Sequence, residues 1–142
     1  MENEIHKALN KYTQEVVEEN TLTMKIEIKF RAWDKIKKDW LFKGYSLSDI
    51  ASSITSDELA TCDIVESTNL KDKNGVEIYE GDILKEVENS LTEFRNVLDF
   101  VVYDIDRAMF RLSNHDNTYL GAEDSELYLE VIGNIYENKE LL

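Results

Sequence analysis

Few side chains in this chain are of the kinds that do chemistry. The histidines are His6 and His115, and Cys62 is the single cysteine. His6 falls in a segment with an apolar stripe and His115 in a polar loop, and neither has a serine or cysteine nucleophile in a recognisable elbow beside it. Asp104 and Asp106, with His115 and Asp116 across a hairpin, could offer oxygen ligands to a cation. The calcium-loop pattern of alternating acidic positions fails at Ala108, however, so solvated turn carboxylates are the expectation. Gly75 and Gly81 are isolated, and no Gly-Lys-Ser/Thr follows either to cradle a phosphate. The 30 carboxylates single out no pair for glycoside chemistry. Thr61 and Asp63 would not stabilise a Cys62 thiolate, which reads as a semi-buried packing residue. No catalytic residue, metal ligand or cofactor site is expected, and the chain does not read as an enzyme.

Recognition chemistry is better represented. Between Lys25 and Lys43, basic residues interleave with Phe30, Trp33, Trp40 and Phe42, the pairing of cations and stacking platforms that single-stranded nucleic acids need. Lys29, Arg31, Trp33, Lys37 and Lys38 are the candidate contacts. Two facts oppose this: period two sends Phe30 inward, and tryptophan in a small β domain is more often core than contact. The chain carries 16 Lys plus Arg against 30 Asp plus Glu, a net charge of −14 that repels duplex backbone at long range. That charge is uneven. Residues 24–43 hold seven basic against three acidic side chains, whereas residues 112–137 hold six acidic and no basic ones.

The elements that must position these residues follow from periodicity. Ile5, Leu9, Tyr12, Val16 and Val17 share one stripe of an amphipathic helix over residues 1–23, which must bury that stripe on its own domain or on a second subunit. Ile5, Leu9, Tyr12 and Val16 are therefore candidate oligomer contacts. From Met24 the period becomes two: Met24, Ile26, Ile28, Phe30 and Ala32 alternate with Lys25, Glu27, Lys29 and Arg31, predicting a half-buried strand with one charged face. The loop Asp34–Asp39 reverses the chain into an aromatic partner strand, Trp40–Tyr45. A short helix is expected over Leu47–Ile54, capped by Ser46 with Asp49 in a variant capping box.

A second hairpin is expected over residues 61–89, turning at Asn74-Gly75, with Gly81-Asp82 as a bulge or corner before Ile83. Further strands are predicted over Phe94–Ile105, Met109–Leu112 and Leu127–Tyr136. Six to eight short strands make a mainly β domain over residues 24–142, a small, partly open barrel or bent sheet. With 142 residues, 42% hydrophobic, this is one domain with the material for a packed core. No run approaches a membrane span and the acidic start lacks the features of a secretion signal, so a cytoplasmic protein without a membrane partner is expected.

Three blocks carry a family resemblance. Ile28-Lys29-Phe30-Arg31-Ala32-Trp33-Asp34, the run from Asn69 to Leu84 containing Leu70-Lys71-Asp72-Lys73-Asn74-Gly75, and Glu130-Val131-Ile132-Gly133-Asn134-Ile135-Tyr136-Glu137-Asn138 resemble, in order and spacing, the signature blocks of the YopX family of phage and prophage proteins. The resemblance spans about residues 25–142 and implies an SH3-like, mainly β fold in a bacterial host cell. It brings no catalytic residues. Where the family has Thr-Gly, this chain has Thr68-Asn69, which keeps a turn-compatible residue. Asn74 and Gly75 are assigned to a turn, Gly81 to a corner, Asp82 to a backbone cap, and Trp33 and Tyr79 to the core. The functional expectation is a homo-oligomeric protein interaction module that binds itself and a host or phage protein. The less favoured alternatives are a nucleic-acid accessory protein using the hairpin 25–43 and an acidic mimic of nucleic acid.

Overall fold

The computed structural model describes Glu4, Lys7 and residues 27–87, 98–115 and 119–142. The predicted helix over residues 1–23, with its stripe of Ile5, Leu9, Tyr12 and Val16, lies outside the described residues except for Glu4 and Lys7, which are helical and exposed.

Among the described residues, eight strands form two four-stranded antiparallel sheets. The first contains β1 (Phe30–Asp34), β2 (Asp39–Tyr45), β3 (Cys62–Lys71) and β4 (Glu77–Tyr79), in the order β2-β1-β3-β4. The second contains β5 (Asp82–Glu86), β6 (Leu98–Asp104), β7 (Met109–Leu112) and β8 (Leu129–Asn134), in the order β7-β6-β5-β8. No closed barrel forms among the described residues, and the mainly β expectation holds. Among residues 27–87, 98–115 and 119–142, three short α-helices accompany the sheets: α1 (Leu47–Ser53), α2 (Ser56–Thr61) and α3 (Ala122–Tyr128).

Local chemistry explains the elements. The Ser46 hydroxyl accepts from the Asp49 N–H and donates to its carboxylate, which starts α1 as the sequence indicated. The helix α2 was not expected, although Thr55 and Glu58 form a reciprocal capping box. The last strand, expected from Leu127, begins only at Leu129, because Ala122–Tyr128 form α3, whose N-cap Gly121 offers no side-chain hydrogen bond to betray the helix start.

Aspartates build the turns. In the β1–β2 hairpin the Asp34 carboxylate accepts the N–H groups of Ile36 and Lys37, and in the β6–β7 hairpin Asp104 accepts those of Asp106 and Arg107. Both turns close through a left-handed residue four positions on, Lys38 at φ 58° and Ala108 at φ 54°. Asp72, 2% exposed, accepts from Asn74 and Val76 with one oxygen and from Val131 of β8 with the other, so the Asn74-Gly75 turn is also a bond to the second sheet. Asn69 adopts φ 59°, the conformation for which the resemblance implies glycine.

The sheet switch falls at Glu80-Gly81. The Glu80 N–H bonds Glu66 of β3, the Gly81 N–H bonds Val101 of β6, and the Gly81 carbonyl accepts from Ile135. Gly81 has φ +85°, and a Cβ there would lie 3.1 Å from a Tyr136 ring carbon. One core gathers Ile78, Leu84, Val101, Leu112, Leu120 and Leu129, and a second gathers Trp33, Trp40 and Val65 beneath Tyr136.

These geometries separate two glycines. Gly75→Ala, with φ +77° but open space around its Cβ, should cost about 1 kcal/mol. Gly81→Ala, which adds a contact to the same backbone penalty, should cost about 2–3 kcal/mol in urea unfolding. The Lys37 and Ile36 N–H groups hold the Asp34 carboxyl below its ordinary 3.8, so this turn stabilises the native state above that value and loses the stabilisation as pH falls through the folded pKa. The stability gap between wild type and Asp34→Asn should accordingly be widest near neutrality and close in acid.

Candidate functional site

The residues singled out for nucleic-acid contact fall into two groups. Arg31 and Trp33 share one face of β1, and that face is not open to water, because the second sheet and the chain after β8 cover it. The Arg31 Nη2 donates to Asp82 Oδ1 at 2.7 Å, and its guanidinium lies over the rings of Trp40 and Tyr79, 4.5 and 4.1 Å from their centroids. Trp33 is 5% exposed and packs edge-on against Trp40. Neither is available to a nucleic acid. The charged face expected for β1 is therefore a correction: Arg31 and Trp33 lie in the interior, Ala32 on the opposite face is buried as well, and Ile28, expected on the apolar face, precedes the strand and is 45% exposed, while residues 24–26 lie outside the described residues.

Lys29, Lys37 and Lys38 remain near the surface. Lys29 lies 3.7 Å from Glu77, and Lys37 lies 3.4 Å from Glu58 and 3.8 Å from Asp34. Lys35 pairs with Asp63 at 3.0 Å, and Lys38 is exposed at the hairpin tip. Much of the basic excess is thus answered within the chain.

Asp82 does more than the expected backbone capping. Its second oxygen accepts from the Tyr79 N–H at 2.8 Å. Burial pushes its carboxyl above the ordinary range, against the opposing pull of Arg31 and that N–H. The Tyr79 phenol, buried and donating to Glu77, is raised to about 12 and stays protonated. Beside it the chain end docks: Glu137 accepts from the Trp40 indole N–H at 3.1 Å and from the Asn134 amide at 2.7 Å, bonds that lower its pKa. Arg31, Asp82 and Tyr79 are thus hydrogen-bonded within the fold and link the two sheets, with Glu137 closing the cluster from the exposed side.

Of the groups considered for a cation, Asp104, Asp106 and His115 form no cluster that could hold a metal among the described residues. Asp104 spends its oxygens on its own turn, Arg107 and Arg111. His115 Nδ1 instead meets the buried Asp99 at 3.1 Å, and Asp116 lies outside the described residues. Cys62 is partly buried, and desolvation followed by the Asp34 charge raises its thiol pKa.

Two concave features are open. An apolar groove of about 300 Å³ lies between α1 and α2, lined by Leu47, Ile50, Ile54, Leu59 and Ile64. Its second wall was missed, although the Thr55-Ser56-Asp57-Glu58 cap was legible, because Leu59 alone supplied no apolar period. A more polar cleft of about 300 Å³ lies between β3 and β6, with Glu80-Gly81 at its base and Ile135-Tyr136 beside it.

Two antiparallel sheets pinned by a buried Arg–Asp pair, with aspartate-built hairpins, define a small two-sheet β domain. The chain belongs to the YopX family, whose model, described as YopX protein, matches residues 29–142. It is also similar to the crystal structure of protein EF1440 from Enterococcus faecalis, at 28% identity and a TM-score of 0.57, over 81% of this chain and 97% of that one. No curated protein matches the chain.

The central pair predicts a non-additive result. Asp82→Leu leaves the Arg31 charge buried alone and should cost about 3–5 kcal/mol. Adding Arg31→Met should recover part of that loss, read as a positive coupling in a double-mutant cycle by urea unfolding.

Proposed function

We propose that the protein is a non-enzymatic, homo-oligomeric interaction module of phage origin, working in the cytoplasm of a bacterial host and binding a host or phage protein. The observation that carries the reading is the groove between α1 and α2, where Leu47 and Leu59 are 54% and 53% exposed above Ile50 and Ile64. Apolar side chains gathered in one concave place are a docking feature more than a solvated surface.

Its occupant is the apolar stripe of residues 1–23 from a second copy. Phe30, the first residue of β1, pairs with Tyr45, which leads through Ser46 directly into α1. The start of β1 therefore lies beside the start of α1, and two copies exchanging their N-terminal segments would do so symmetrically. Family membership and the acidic composition are compatible with such a role. Nucleic acid is the less favoured partner, since Arg31 and Trp33 are occupied internally.

Light scattering on the purified full chain should give a mass that is a multiple of 16.5 kDa. Leu9→Ser with Tyr12→Ser, and separately Leu47→Ser with Leu59→Ser, should each reduce it to a single chain while the thermal transition persists. A wild type that remains monomeric at high concentration would remove the reading.

A further inference from the structure

The polar cleft between β3 and β6 has walls of an unusual kind. In β3, Ser67 donates to Lys29 and Thr61 accepts from Lys35, so residues 61, 63, 65 and 67 direct their backbone groups toward β1. Cys62, Ile64 and Glu66 direct theirs the other way. Glu66 is answered there by Glu80, whereas the N–H and C=O of Cys62 and Ile64 face no described strand, because β4 pairs only from Ser67 onward.

The alternation in β6 is similar. Phe100 accepts from Ser113, so Val102 and Asp104 bond toward β7 while Val101 and Tyr103 aim away. Pairing with β5 ends at Phe100, and the Val101 carbonyl takes the Gly81 N–H, which leaves Tyr103 without a described strand on that side. Two strand edges thus diverge from the Glu80-Gly81 corner with a cavity of about 300 Å³ between them.

We infer that this cleft binds an extended basic peptide, which adds as a strand to the open edge of β3. Unpaired backbone donors and acceptors at strand spacing are matched in full only by another backbone, and strand addition is the recurring way such an edge is used. Charge sets the partner's chemistry. The carboxylates of Asp63 and Glu80 line the cleft, and no Lys or Arg is among its described lining residues. Lys35 neutralises Asp63, but Glu80 has no hydrogen-bond or ion-pair partner for its side chain among the described residues, and its backbone bond to Glu66 places it at the point where the open edge of β3 begins. The site is separate from the α1–α2 groove, so the inference stands or falls independently of self-association.

The test uses the full-length protein and a blocked heptapeptide alternating valine and lysine. Titration followed by amide NMR should move the signals of Cys62, Ile64 and Tyr103, and saturation should slow alkylation of the single thiol, Cys62, about tenfold. A peptide alternating valine and glutamate should bind more weakly, and one methylated on alternate backbone nitrogens should not bind. Glu80→Gln should weaken the lysine peptide about threefold to fivefold while unfolding at the wild-type temperature. Equal binding of the glutamate or methylated peptide, shifts confined to the α1–α2 groove, or unchanged Cys62 alkylation would each overturn the assignment.

Discussion

The ion pair of Arg31 and Asp82 joins residues 51 positions apart in sequence and ties the first sheet to the first residue of the second. Two charges in so buried a place need compensation on every side, and the surroundings read as a list of the means. Trp40 and Tyr79 offer ring faces to the guanidinium, and the Tyr79 N–H holds the other carboxylate oxygen. Arg31 Nε finds no oxygen acceptor, so the rings carry part of its stabilisation. Lysine could not replace this arginine, because it lacks the planar fork that meets a carboxylate while stacking between aromatics. The two tryptophans, the sheet switch and the docked chain end are arranged around this requirement.

The acidic composition acquires a structural meaning from the turns. Asp34, Asp104 and Asp72 each organise a reversal by accepting N–H groups, and Asp99 gathers Asn114 and His115 in the same manner. A short carboxylate can take two or three such bonds, where a neutral side chain would bond more weakly. Part of the negative charge is therefore architecture and not a surface held ready for a partner. The basic stretch 24–43 has the complementary explanation, since Lys35 and Lys37 answer carboxylates on neighbouring elements and Arg31 answers the buried one.

The parts of the fold legible in the sequence were those set by local rules. Period two marked the strand through Phe30, Arg31 and Ala32 but not its start, Asn74-Gly75 placed a turn, Ser46 and Asp49 placed α1, and Gly81 marked the corner where the chain changes sheets. What sequence periodicity could not supply was the far side of each face. Arg31 alternates with apolar neighbours as a surface residue would, and only the arrival of Asp82 from the second sheet, beside Tyr79 at the far edge of its own, makes it interior. The cleft edges were illegible for a similar reason: every residue of β3 looks like a strand residue, and which half of it lacks a neighbour depends on where β4 and β6 pair. The helix α3 escaped because nothing in Gly121 to Tyr128 carries a cap or an apolar stripe.

The docking of the chain end has a consequence for synthesis on the ribosome. Asn134 and Glu137 secure the Trp40 indole, Tyr136 roofs the tryptophan core, and β8 completes the second sheet against β5. The β1–β2 hairpin thus waits for residues 97 positions further along the chain, so a nascent chain cannot cover its tryptophans before Glu137 has left the exit tunnel. Early release, by a premature stop or a nick near residue 130, would leave the β1–β2 hairpin with its tryptophans uncovered. Such a fragment exposes apolar surface that the intact fold covers, the kind of surface that promotes aggregation.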